Sequence, residues 1–104
     1  MLYMLLIYGD GGELHQEYVR LRDDLRSEGK LVGAERLAQA SSATTIAVRD
    51  GDTLVSDGPF ADTNEALGGY YLIDADSLDE AIEWAARIPA ARTGKVEIRP
   101  VSTR

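Results

Sequence analysis

Asp57 opens the most constrained turn of the chain, Asp57-Gly58-Pro59-Phe60. Proline fixes its own φ and biases the residue before it away from the helical region, so such a turn holds a carboxylate at a set angle. Aimed into a cleft, that carboxylate is a candidate general acid or base. Turned inward, it accepts hydrogen bonds from the N–H groups of its own turn. His15, the sole histidine, is the second catalytic candidate because imidazole titrates near neutrality; its plainer reading is a solvent-exposed helix residue. Tyr8, Arg36, Phe60, Glu97 and Arg99 complete the set as ligand-binding candidates. Tyr8, Arg36 and Arg99 would orient an anionic or carbonyl-bearing molecule, since a guanidinium fork matches carboxylate geometry. Glu97 and Arg99 stand two apart in a strand and project to the same side, as a polar patch or as a surface ion pair. Arg36 has a similar alternative in a pair with Glu35. Phe60, the only phenylalanine, is expected to anchor its turn into the core.

Other chemistries are excluded by residue type. The chain has no cysteine, which removes disulfides, thiolate metal sites and a cysteine nucleophile. Gly68-Gly69 is not followed by a helix start and carries neither a dinucleotide fingerprint nor a phosphate-loop lysine. No cofactor and no metal is therefore expected. A net charge of -7, with no compensating basic cluster, argues against direct nucleic-acid binding. The apolar run Leu2 to Tyr8 is too short to cross a membrane and lacks the flanks of a signal peptide, so a cytoplasmic protein is expected.

The elements that must position these residues follow from periodicity. At 104 residues the chain is expected to be one domain over 1–104. Leu2 to Tyr8 reads as a strand with both faces apolar. Glu13 to Gly29 reads as a helix with Leu14, Tyr18, Leu21 and Leu25 along one stripe. Residues 30 to 40 are ambiguous, with a short strand around Leu31 to Leu37. Thr44 to Ser56 alternates cleanly about Asp50-Gly51, a hairpin turn signal. Asp62 to Leu67 suggests a single helical turn, and Tyr70 to Ile73 a second strand apolar on both faces. Ser77 and Glu80 form a capping box for a helix that ends at Pro89. Ala90 to Gly94 reads as a loop and Lys95 to Val101 as the last strand.

This order approximates β-α-β-β-α-β, a ferredoxin-like α+β pattern with an extra hairpin strand. Its two helices cover one face of the sheet, while the strands are apolar on both. Face-to-face pairing of two sheets then gives a homodimer with a pocket at the sheet seam, for a small molecule the sequence does not identify.

Four segments together resemble the DGPF group of YCII-related proteins. They are Met4-Leu5-Leu6-Ile7-Tyr8-Gly9-Asp10, Asp57-Gly58-Pro59-Phe60, Leu67-Gly68-Gly69-Tyr70-Tyr71-Leu72-Ile73 and Val96-Glu97-Ile98-Arg99-Pro100. The resemblance implies a ferredoxin-like fold paired as a dimeric α+β barrel, and a link to extracytoplasmic-function sigma factors. It also implies an enzyme site built on a His–Asp pair, for which this chain offers His15 and Asp57. Two functions are left open: a ligand- or partner-binding module, placed first, and a small enzyme using Asp57 or His15 for acid/base chemistry.

Overall fold

The computed structural model describes residues 1–9, 15–60 and 66–103, with His15 by its main chain only. A four-stranded antiparallel sheet carries the fold, in the order β2-β5-β1-β6. Its strands are β1 (Leu2–Tyr8), β2 (Leu31–Arg36), β5 (Leu67–Asp74) and β6 (Lys95–Pro100). Two helices, α1 (His15–Ser27) and α2 (Leu78–Ala86), pack on one face, and a single-turn helix α3 (Ala90–Thr93) precedes β6. Ala90 to Gly94, expected as a loop, therefore contains one helical turn. Glu13 and Leu14 of the expected first helix and residues 62–65 of the expected helical turn lie outside the described residues.

Burial alternates along β1: Tyr3, Leu5 and Ile7 are buried, while Leu2, Met4, Leu6 and Tyr8 are half-buried on the opposite face. Strand β5 repeats the pattern, with Tyr71 and Ile73 inward and Tyr70 and Leu72 outward. Leu21 and Leu25 of α1 and Ala81, Trp84 and Ala85 of α2 close the core with Ile88. Burying an aliphatic side chain as fully as Leu5, Leu21, Leu25, Ile73 and Ile88 contributes about 1.5–3 kcal/mol each. An exposed ion pair such as Arg92–Glu17 contributes about 0–1 kcal/mol. Apolar packing between helices and sheet thus decides the fold, and the surface pairs adjust it. Trp84, expected at the rim of the stripe, is 7% exposed.

Two expectations are corrected. The sheet is open, with β2 and β6 as edges, and is not closed into a dimeric α+β barrel. Four strands span too little of a barrel's circumference, and the remaining two pair only with each other. These are β3 (Thr44–Arg49) and β4 (Asp52–Asp57), which form a separate two-stranded sheet rather than an extra strand of the main one. Asp50 and Gly51 both take positive φ, 52° and 83°, as a two-residue hairpin turn with the right twist demands. The ribbon exposes Ile46, Val48, Leu54 and Val55. Its separation from the main sheet helps raise the radius of gyration to 15.5 Å, against roughly 13 Å for a chain of this length. Phe60 is 90% exposed; it does not anchor its turn into the core, because the hairpin holding that turn stands off the core altogether.

Glu80 ties α2 to the sheet. Its carboxylate accepts from the Asp76 N–H at 2.7 Å, the Trp84 Nε1–H at 3.0 Å and the Lys30 ammonium at 3.3 Å. Ser77 Oγ accepts from the Glu80 N–H at 3.2 Å, completing the cap. These donors, the Asp76 N–H first and Trp84 next, pull the Glu80 pKa below the usual carboxylate range against a smaller opposing effect of burial. A carboxyl with a depressed folded-state pKa adds stability that is complete above its unfolded value of about 4.3 and is lost as pH falls through the folded value. Thermal unfolding of Glu80→Gln followed from neutrality into acid should therefore show a shallower loss of melting temperature below about pH 4.3 than the parent shows. Parallel profiles would assign the acid sensitivity to other groups.

Candidate functional site

Tyr18 and Arg22 lie four residues apart on α1, one turn along the same face. Leu21 and Leu25, the fully buried residues of that helix, fix its rotation over the sheet. Tyr18 and Arg22 thereby face the end of the sheet where β1 finishes, β2 finishes and β5 begins. A cavity of ≈ 310 Å³ opens there, lined by both of them with Ile7, Ala34, Arg36 and Tyr71 and floored by Gly68-Gly69. The volume is within the range of small-molecule sites.

The glycine pair makes that floor. A Cβ on Gly69 would sit 2.8 Å from the Glu35 carbonyl oxygen, and one on Gly68 would sit 3.0 Å from the Gly9 carbonyl oxygen. Both obstacles are main chain, which cannot swing aside as a side-chain tip can. The β1–β5 register also shifts between Ile7 and Tyr8, where Gly9 donates its N–H to the Ala66 carbonyl. Strands β2 and β1 therefore converge on β5 with no side chain between them.

Two polar groups stand out inside. Tyr71 is 2% exposed, and burial pushes its phenol pKa up, opposed more weakly by the adjacent Arg22 guanidinium. The phenol stays protonated at neutral pH and remains a hydrogen-bond donor. The Nε of Arg22 is buried and has no hydrogen-bond partner among the described residues. An unsatisfied buried donor costs about 1–3 kcal/mol, more for a charged group, so a ligand acceptor there would recover that cost. Among the described residues neither Arg22 nor Arg36 meets a carboxylate, whereas Lys30, Arg87, Arg92 and Arg99 all do.

The sequence-derived candidates fall in three places. Arg36 lines the cavity, and its alternative as an ion-pair partner of Glu35 is not formed. Tyr8, Glu97 and Arg99 gather on the opposite, helix-free face of the sheet. There Arg99 Nη1 donates to Glu97 Oε2 at 3.2 Å, and partial burial, then the Glu97 carboxylate, raise the Tyr8 pKa. Asp57 ends β4 paired with Thr44, exposed on the hairpin, and neither it nor Phe60 lines the cavity. His15 is the first residue of α1, one turn before Tyr18. The cavity thus lies between helix and sheet. Tyr18, Arg22 and Tyr71 were absent from the candidate set. Their signal was a tyrosine on the core-facing parity of β5, whose hydroxyl needs a partner, opposite a helix face ending in tyrosine and arginine. No group of three or more metal-ligating side chains occurs among the described residues. No helix among them is long and apolar enough to cross a membrane.

The chain belongs to the YCII-related domain family, which it matches over residues 1–103. It is 39% identical over 115 residues to an uncharacterized protein of Rhizobium meliloti (strain 1021), covering 98% of this chain and 93% of that one. Its fold is similar to that of 5-chloro-2-hydroxyhydroquinone dehydrochlorinase from Burkholderia phenoliruptrix AC1100, solved in complex with 2,5-dihydroxybenzoquinone. That likeness has a TM-score of 0.55 at 15% identity and covers 98% of this chain and 94% of the other. It is a likeness of fold.

The close approach at Gly69 has a measurable consequence. Gly69→Ala should lower the unfolding free energy by about 1–3 kcal/mol, because β2 must move off β5 to admit the methyl group. Gly33→Ala, in β2 with nothing within 4 Å of the added carbon, should stay within about 0.5 kcal/mol of the parent. Urea midpoints of the pair check both, and equal midpoints would mean that the strands do not depend on that contact.

Proposed function

We propose that this protein is a small enzyme whose substrate is a small oxygenated molecule held in the cavity between α1 and the sheet. One observation carries the reading: a buried arginine nitrogen without a partner, beside a protonated buried tyrosine, in a cavity of ligand size. Sites of this kind, apolar walls with a few convergent polar groups, are made to orient a ligand rather than to stabilise a fold. The fold likeness to a dehydrochlorinase supports catalysis over the partner-binding module placed first by sequence. In this reading Tyr71 donates a hydrogen bond to a substrate oxygen and Arg22 stabilises negative charge developing on it. His15, at the start of the helix that presents Tyr18 and Arg22, is the candidate proton carrier. Asp57, on the hairpin, is not assigned a step.

Turnover can be followed by absorbance with a panel of hydroxylated benzoquinones and chlorinated hydroquinones. At least one should be converted, and His15→Ala should slow that conversion by about 10²–10⁴-fold, the range for removing a general acid or base. Saturable binding without conversion across the panel would return the protein to the binding-module class.

A further inference from the structure

We infer that the ligand of the α1–sheet cavity is a small planar monoanion whose charged oxygen is received by Arg22 between Tyr18 and Tyr71. The inference rests on the cavity being the functional site and adds the charge and shape of what enters it.

Charge is the first argument. The chain carries a net charge of -7, and four other cations meet carboxylates: Lys30 those of Asp76 and Glu80, Arg87 that of Asp24, Arg92 that of Glu17, Arg99 that of Glu97. Carboxylates outnumber basic groups, 18 to 11, yet among the described residues no carboxylate reaches either guanidinium of the cavity. The cavity's lining includes one acidic residue, Glu35, which is exposed and presents its main-chain carbonyl toward Gly69. Arg36 and Glu35 are both exposed, so Arg22 carries the one partly buried positive charge of the cavity, which one negative charge on a ligand neutralises.

Geometry is the second argument. The unpartnered atom of Arg22 is Nε, one of the five donors of a planar guanidinium. Its N–H lies in the guanidinium plane, so an acceptor held by Nε and a neighbouring nitrogen together presents one or two oxygens in that plane, as a carboxylate does. Tyr71 adds a neutral donor beside it, which strengthens binding of an oxyanion without changing the charge balance. Tyr18 and Tyr71, from helix and strand respectively, bring two aromatic rings to the walls of the cavity, and rings favour a flat apolar body. A cavity of ≈ 310 Å³ is at the small end of small-molecule sites and accommodates a single substituted ring.

Matched probes separate charge from shape. Benzoate and benzamide have the same outline and differ in charge. Titrated at neutral pH by calorimetry into the intact protein, benzoate should bind at least about tenfold more tightly than benzamide. Arg22→Gln should erase that preference, and Tyr71→Phe should weaken benzoate while keeping the preference, a pair of variants that does not depend on either one alone folding well. Arg36→Gln should weaken benzoate less than Arg22→Gln does, because its nitrogen atoms are not the buried unpartnered ones. Benzamide binding as tightly as benzoate in the same cavity, located by the amide resonances of Gly68 and Gly69, would overturn the monoanion assignment and leave the small-molecule site standing. If neither probe moves those resonances, the site reading and the inference fall together.

Discussion

The main sheet holds together at one point only because a side chain is missing there. With 2.8 Å between a would-be Cβ of Gly69 and the Glu35 carbonyl oxygen, β2 closes on β5 at a spacing that alanine would forbid. On the other side, Gly68 lets Gly9 approach, with 3.0 Å between a would-be Cβ and the Gly9 carbonyl oxygen. Three strands meet here without side chains between them, and the glycine pair lines the cavity under α1. Its polar groups come from the elements around it: Tyr18 and Arg22 from the helix, Arg36 from β2, Tyr71 from β5.

The remainder of the fold holds this arrangement rigid. Leu21 and Leu25 lock α1 to the sheet, so Tyr18 and Arg22 cannot rotate away from the cavity without unburying both leucines. At the far end Glu80 gathers three donors and fastens α2 beside Lys30, where β2 begins. The hairpin contributes to neither task. Its strands pair with each other alone and leave Ile46, Val48, Leu54 and Val55 in solvent, a surface whose role lies outside the cavity's chemistry.

Local features were legible in the sequence because they are encoded locally. The Asp50-Gly51 turn and the alternation on both sides of it specify the hairpin almost to the residue. The Ser77–Glu80 capping box starts the second helix where the structure starts it. Family membership was legible from four separated segments. What failed was long-range. Apolar residues on both faces of β1 and β5 suggested a closed barrel, but that pattern says only that a face is apolar, not how the strands close. Phe60 was read as a core anchor from its type; the hairpin's displacement puts it in solvent. Arg36 was found as a fork in search of an anion. Arg22 was not, because nothing near it in sequence marks its Nε as buried; that follows from α1 being pressed onto Tyr71, a residue far along the chain. Asp57 and His15 were grouped by chemistry. The structure sets Asp57 on the hairpin and His15 at the head of α1.

A crystal structure of the protein grown with benzoate tests the central claim most directly. A carboxylate oxygen should lie within about 2.7–3.2 Å of Arg22 Nε, with the ring against Tyr18 and Tyr71. Benzoate seated instead on the helix-free face, beside Arg99 and Tyr8, with the α1 cavity filled only by water, would contradict it.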